Sequence, residues 1–405
     1  PLILGKTEYK IYPLDIIILG IILGLIISFL KKSSRKKIEV KKADKILFGF
    51  IFLNVAYYFL SIYYFNSNSY LSFSSLKNYA FYSLLYFLTY LSVENKEQIK
   101  RLLKFYFSGT IFILGFIAFG IINGTGPWTE YTPLSTEGAR ILAFTHGLYL
   151  ALALIPLTLL MAFKKNEKLN KFLISLILIF SAGILGTMMR HIWVALALAF
   201  CLIYFMLQAE QKKEIKNILF KTILPITLFI LLFFYSSLML PQSKLSKSFE
   251  NIQEAISQRS VSIIRANKDE SFVWRKIVWE SAWKEYQQNM FFGIGTGQKV
   301  SVENGGYRDF VEVRNMHNSY LTILAQFGIL GSGLFLYFIF TLLKNLIKSG
   351  NIKTDFYKMS FLSVLAVYSV AFVFQPYLET NLLAVFFWIN LGLIRIVSDQ
   401  NYENS

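Results

Sequence analysis

The sequence predicts an all-α polytopic membrane protein of about 11–12 transmembrane helices, with one long helical loop on the outer side. Three observations predict it. Of 405 residues, 55% are hydrophobic and 17% aromatic while only 16% are charged, where a soluble chain carries about one quarter. The mean hydropathy is +0.49. The apolar residues gather into stretches of about 20, the length that crosses a bilayer as helix.

Spans bounded by charged or turn residues fall at 11–30, 46–65, 71–93, 102–122, 141–163, 171–189, 192–208, 218–240, 317–343, 357–374 and 378–397. The third carries Lys77 among Ser and Tyr residues, and that charge must snorkel or face the bundle interior. Linkers on one side of the bundle hold 22 Lys and Arg against 4 in the short loops on the other. That asymmetry makes the basic linkers cytoplasmic. The segment 241–316 has 11 basic residues on the outer side, and long translocated segments are exempt from the rule. The expected division is therefore 1–240 (first part of the bundle), 241–316 (helical outer loop domain) and 317–405 (C-terminal part of the bundle with a cytoplasmic tail). The chain starts at Pro1 rather than at a Met. A further N-terminal span would make twelve and put both ends in the cytoplasm. The first apolar run is a full span with no small-residue cleavage site after it, so it does not read as a cleavable signal.

Composition also excludes functions. The net charge of +17 would suit nucleic acid only on a soluble basic face, and here the basic residues sit between apolar spans. A single cysteine, Cys201 within a span, rules out an internal disulfide, a thiolate metal cluster and a CxxC redox pair.

The outer segment reads as two helices and a turn. Phe249, Ile252, Ile256, Ile263 and Ile264 recur at roughly helical spacing, and Val273, Trp274, Ile277, Val278 and Trp283 form a second apolar face opposite Arg275, Glu280 and Lys284. Gly293, Gly295 and Gly297 at alternate positions stop that helix.

The three histidines, His146, His191 and His317, all fall at or near outer span ends. Only there does a side chain titrate near neutral pH. His317 opens a span as His317-Asn318-Ser319-Tyr320, followed after nine residues by Gly328-Ile329-Leu330-Gly331. Read plainly, this is a capped helix start and a small-residue packing face. Arg140, Arg190 and Arg275 stand at span ends or beside the membrane, with Arg265, Arg308 and Arg314 in reserve. Such arginines serve either as head-group anchors or as phosphate ligands. No HExxH and no Asp-x-Asp occurs in an outer loop, although outer carboxylates exist at Asp15, Glu130, Glu137, Glu303, Asp309, Glu312 and Glu379. No metal site and no cofactor is expected.

The His-Asn pair, nine residues and Gly-x-x-Gly, after a long outer loop, resemble the O-antigen ligase and O-antigen polymerase superfamily of bacterial envelope glycosyltransferases. Arg275-x-x-x-Trp279 leading into Gly293-x-Gly295 is similar to that family's helix and turn before the histidine. Gly186-Thr187-Met188-Met189-Arg190 is similar to its short-loop arginine, with Val194 where the family pattern has leucine. The resemblance spans roughly residues 120–345 and implies a GT-C-like bundle in the bacterial inner membrane with a periplasmic active site. It implies transfer of a glycan from undecaprenyl diphosphate to a lipid A-core hydroxyl, without a metal. His317 would be the general base, Arg190 and Arg275 would bind the diphosphate, and Arg140, Arg265, Asn318, Tyr320, Trp279 and His191 would contact substrates. The partners implied are the carrier-linked glycan, the lipid A-core acceptor and membrane lipids, with no nucleic acid.

Polymerase and ligase share these motifs, and the fit of the glycine spacing after His317 favours the ligase. A transporter or flippase would show repeated halves and mid-span charges. Here the polar chemistry gathers at the outer boundary, which favours an enzyme over a transporter, and over a scaffold with no clustered Arg and His.

Overall fold

A computed structural model describes residues 2–4, 9–30, 39–123, 144–164, 167–187, 189–239, 270–303, 310–314 and 316–399. Each of the eleven expected spans coincides with helix. A short hairpin, β1 (Leu2–Leu4) and β2 (Tyr9–Ile11), precedes α1 (Pro13–Leu30) and α2 (Lys42–Tyr63). The third span divides into α3 (Ser69–Leu76), a π-helical turn (Lys77–Phe81) and α4 (Leu84–Ser92). Then follow α5 (Lys96–Asn123), α6 (Phe144–Phe163), α7 (Glu167–Gly186), α8 (Arg190–Met206) and α9 (Ala209–Met239). The outer segment supplies α10 (Glu270–Gln288) and a hairpin of β3 (Val300–Glu303) and β4 (Phe310–Val313). Last come α11 (Ser319–Lys348), α12 (Phe356–Ala371), a 3₁₀ turn (Tyr377–Glu379) and α13 (Asn381–Val397). Among the described residues, Lys42–Tyr63, His146–Phe163, Leu169–Gly186 and Ser319–Lys348 are long and apolar enough to cross a membrane. Pro13–Ser28, Arg190–Met206, Phe356–Ala371 and Asn381–Val397 are shorter apolar helices. The fold is that of an all-α multi-pass membrane protein.

The chain packs as two compact units, neither continuous in sequence. The first comprises Pro1–Ile99, Glu270–Gly350 and Ala371–Ser405, the second Lys100–Asp269 and Asn351–Val370.

In the first unit the core is aromatic. Phe50 lies 5.7 Å from Phe335, Tyr86 lies 5.4 Å from Phe338, and Phe338 lies 6.2 Å from Trp388, centroid to centroid. Among the described residues of this unit, the buried charges Asp15, Lys77, Asp44 and Arg395 are all paired, because an isolated one is prohibitive. Lys77 faces the interior, where its Nζ donates to Asp15 Oδ2 at 3.0 Å while Tyr82 Oη donates to Asp15 Oδ1 at 2.6 Å. At the basic end Arg395 is fully buried, with its Nε 3.3 Å from Asp44 Oδ1 and its Nη1 2.7 Å from Asp399 Oδ2.

The sequence gives no separate signal for the feature that organises the outer part of this unit. α11 breaks at Gly328, whose φ of 62° and ψ of −162° leave the helical region. In a continuous helix the N–H groups of Ile329 and Leu330 would donate to Ala325 and Gln326. Instead they donate to Met290 O (2.8 Å) and Phe291 O (3.3 Å), while Ala325 O and Gln326 O accept from Ile294 N (2.8 Å) and Gly295 N (3.1 Å). Phe327 O accepts from Tyr57 Oη at 3.3 Å and Gly328 O from Ser332 Oγ at 2.6 Å. The carbonyls of Ala325 through Gly328 are thus all partnered, as buried backbone requires. Glycine is needed on both sides of the exchange. A Cβ on Gly328 would lie 2.4 Å from Phe291 O, and one on Gly293 (φ 69°) would lie 2.5 Å from Ala325 O. The same turn is sewn to α2 and α3. Thr296 N donates to Ser61 Oγ at 2.7 Å, Ser72 Oγ to Thr296 O at 2.7 Å, and Gln298 Nε2 to Phe65 O at 2.6 Å.

Over α10 and the hairpin lies a small separate core of Val278, Ala282, Val300, Val302, Met316 and Ala325, with Trp274, Ile277, Ile294, Val313 and Leu321 against it. The buried face of α10 is thus Trp274, Ile277, Val278 and Ala282, whereas Val273 and Trp283 of the expected face are exposed. The helix expected around Phe249 to Ile264 lies outside the described residues.

The second unit is built around α6, from which Leu148 and Leu150 to Ile155 are all buried against its neighbours. Tyr106 of α5 donates to Tyr149 O at 2.9 Å. Gly147 at the start of α6 packs so tightly on the α7–α8 turn that a Cβ would lie 2.6 Å from Thr187 Cγ2.

Candidate functional site

In the first unit His317 sits between β4 and α11, and its backbone is fixed from two directions. Met316, just before it, is fully buried in the small core and accepts from Trp279 Nε1 at 2.9 Å. Just after it, Asn318 Oδ1 accepts from Leu321 N at 3.0 Å as the N-cap of α11. Ser319 N donates to Phe372 O at 2.7 Å, and Ser319 Oγ to Gln375 O at 2.8 Å. Held this way, His317 adopts a φ of 49°, a left-handed conformation that His tolerates better than most residues.

The imidazole is oriented as well. His317 Nδ1 lies 3.2 Å from Gln375 Oε1, and an amide oxygen only accepts, so Nδ1 carries the proton and the lone pair of the neutral ring is on Nε2. Burial pushes the His317 pKa below its ordinary 6.5, the Gln375 hydrogen bond pulls it upward, and the Arg275 guanidinium lowers it. The ring is therefore neutral at neutral pH.

A second polar group adjoins the 3₁₀ turn after α12. Glu379 is held above the ordinary carboxyl range by burial, opposed by Arg314, Gln326 and Tyr79. Gln326 Nε2 donates to Glu379 Oε1 at 3.2 Å, Asn78 Nδ2 to Glu379 O at 3.2 Å, and Tyr79 Oη lies 3.5 Å from Glu379 Oε1. Arg275 acts electrostatically on His317 and Tyr377, and Arg314 on Tyr79 and Glu379, so two guanidinium charges are felt at the segment Gln375–Glu379, and such groups suit phosphate oxygens. Among the described residues no group of three His, Cys, Asp or Glu side chains converges. Asp15, one expected carboxylate, is engaged by Lys77, Tyr82 and the Tyr12 N–H at 2.9 Å.

Residues 173–336 match the family model described as O-antigen ligase. The match runs from α7 through the Arg190 turn, α10, the glycine turn and His317 to beyond the break at Gly328. The match supports assigning this part of the chain to the O-antigen ligase and O-antigen polymerase superfamily. A search of curated proteins returns no match. Enzymes of the O-antigen ligase family are membrane glycosyl-transfer enzymes, and the match supports a general role in O-antigen ligation or polymerisation.

Of the expected site residues, the first unit brings together His317, Arg275, Trp279, Asn318 and Tyr320. Trp279 and Asn318 have positioning roles, as a backbone tether and a helix cap, and the Tyr320 ring lies 5.9 Å from that of Phe372. Arg190 and His191 open α8 in the second unit, with His191 buried, and His146 lies in the first turn of α6. Arg140, Arg265 and Arg308 lie outside the described residues. Sequence reasoning missed Gln375 and Gln326, and it considered Glu379 only as one of the outer carboxylates that could be a base or hold a metal. Polar residues in the loop before an apolar span were the available signal for Gln375. Nothing local marks Gln326 within α11.

The cap is separable from substrate contact. Asn318→Ala is expected to destabilise the protein by about 1 kcal/mol, and Asn318→Asp or Asn318→Ser to retain parental stability. Thermal melting of the detergent-solubilised variants checks this. Parental stability with lost transfer in Asn318→Ser would instead put the amide on substrate.

Proposed function

We propose that the chain is an O-antigen ligase of the bacterial inner membrane, moving a glycan from undecaprenyl diphosphate to a lipid A-core hydroxyl on the periplasmic face. The observation that carries this reading is the oriented, neutral His317 with Arg275 beside it, inside the part of the chain that matches the family. His317 Nε2 takes the proton of the acceptor hydroxyl as its oxygen bonds to the anomeric carbon. The bond from that carbon to the diphosphate breaks, and the leaving charge is met by guanidinium groups, which stay protonated throughout. Arg275 fills this role, the resemblance assigns Arg190 to it as well, and Arg140 and Arg265 would contact the carrier head group.

Charge neutralisation by arginine makes the reaction independent of a divalent cation. Purified protein given a polyprenyl-diphosphate glycan and lipid A-core should form core-linked glycan equally well with and without excess EDTA. Longer carrier-linked glycan with unmodified core would identify a polymerase instead. Loss of activity in EDTA, restored by Mg²⁺, would move the charge-stabilising role to carboxylates, with Asp15 and Glu379 the first to substitute.

A further inference from the structure

The glycine turn is followed in space by an apolar surface that the described residues leave uncovered. Met290 is 48% exposed, Phe291 72% and Phe292 62%, and beside them Ile329 and Leu330 of α11 are also exposed. Aromatic side chains of this size do not remain in water without a reason.

Two spans fix the level of this surface independently. α2 runs 22 residues from Lys42 to Tyr63, about 33 Å, close to the thickness of a bilayer core. It is flanked by Lys41, Lys42 and Lys45 at one end, and at the other Tyr63 and Tyr64 are 81% and 76% exposed, as interfacial aromatic residues are. The turn is bonded to that aromatic end, through Ser61 and Phe65. In α11 the exposed residues Ile329, Leu336, Phe340 and Ile347 form one stripe at helical spacing. Counting back about 20 residues from Lys344, the length of a membrane crossing, reaches Ala325 and Gln326, whose carbonyls hold the turn. Both spans therefore end at the height of Met290–Gly295. Immediately before it, Lys284, Gln287 and Gln288 of α10 are exposed, so the polarity changes sharply within one turn of chain.

We propose that Met290, Phe291 and Phe292 form a membrane anchor, inserted at the edge of the hydrocarbon layer on the His317 side and covered by lipid acyl chains. The backbone exchange with α11 makes this possible, because irregular backbone at membrane depth is tolerated only when its polar groups are paired within the protein. Insertion is shallow, as for interfacial amphipathic segments. α10 and the first part of α11 join the anchor to His317, so the anchor sets the height of that residue over the lipids.

Single cysteines replacing Phe291 or Phe292 in a Cys201→Ala background, labelled with an environment-sensitive fluorophore and reconstituted into phosphatidylethanolamine–phosphatidylglycerol vesicles, test this. A lipid nitroxide near the head-group end of the acyl chain should quench both positions about twofold more than one near the terminal methyl. Aqueous iodide should quench them little. Lys284→Cys should show the reverse, strong quenching by iodide, and Leu336→Cys should favour the deep nitroxide. Iodide quenching of positions 291 and 292 equal to that of position 284 would overturn the anchor, as would protection from both lipid and aqueous quenchers, which would mean that protein covers the surface. Using both positions keeps the test independent of any one substitution, since both side chains project outward.

Discussion

Replacing His317 by Ala is expected to lower glycan transfer by about 10²-fold or more, the usual loss for a general base, while leaving the amount of protein in the membrane unchanged. His317→Asn serves as the companion variant, since Asn also tolerates the left-handed backbone at this position. Arg275→Ala should cause a loss of similar size, because it removes the charge proposed to meet the leaving diphosphate. The pH profile separates these roles. Transfer should rise with pH and level off, with the limb set by a His317 pKa below 6.5, where burial and Arg275 hold it. Arg275→Gln should move the limb to higher pH, because a charge that disfavours the imidazolium is gone. Gln375→Leu should move it lower, because the hydrogen bond that supports the imidazolium is gone. The same shift has a sign for stability. Since the fold favours the neutral ring, its contribution is complete above about pH 6.5 and is lost as pH falls toward the folded-state pKa. Parental transfer by a well-expressed His317→Asn protein would remove the base assignment.

A Gly328→Ala protein is expected to lose most of its folded population. Its φ of 62° and ψ of −162° fall in a region that is essentially glycine-only, and the added Cβ would meet Phe291 O at 2.4 Å. Backbone strain and displacement of the turn bonded to α11 together cost about 3 kcal/mol or more. Gly333→Ala in the same helix is the control. A Cβ there meets nothing within 4 Å, and alanine should stabilise the helix by up to about 1 kcal/mol. Melting followed by size-exclusion chromatography distinguishes the two, and a Gly328→Ala protein that melts with the parent would show that the break in α11 is not required.

These two residues show what was legible in the sequence. The apolar stretches set the eleven helices, since each is long enough to satisfy its own backbone and apolar enough to leave water, and both properties are local. The residue types at the candidate site were legible for the same reason. A histidine at a span end, arginines beside it and glycines at fixed offsets are chemical statements that need no partner. The sequence also required that Lys77 be paired or snorkelled, without saying which.

Tertiary structure decided the partners. The Gly293–Gly297 turn and the glycine pair after His317 read as separate signals, yet they are two halves of one joint. Ile294 bonds to Ala325, and Phe291 to Leu330, and no spacing rule links positions that far apart in the chain. His317 depends on Gln375, 58 residues away, for its tautomer, and on Trp279 for the placement of the peptide before it. Lys77 found Asp15, 62 residues away, and turned inward. Asn318, expected on substrate from the resemblance, caps α11 because the first N–H groups of any helix need an acceptor. β3 and β4 pair with each other and pack Val300 and Val302 on α10, a contact that their own residues do not specify. Periodicity and residue chemistry are properties of one segment and survive in a linear reading. Hydrogen-bond direction, burial and the depth of a turn in the bilayer are properties of two segments at once, and only the fold brings those segments together.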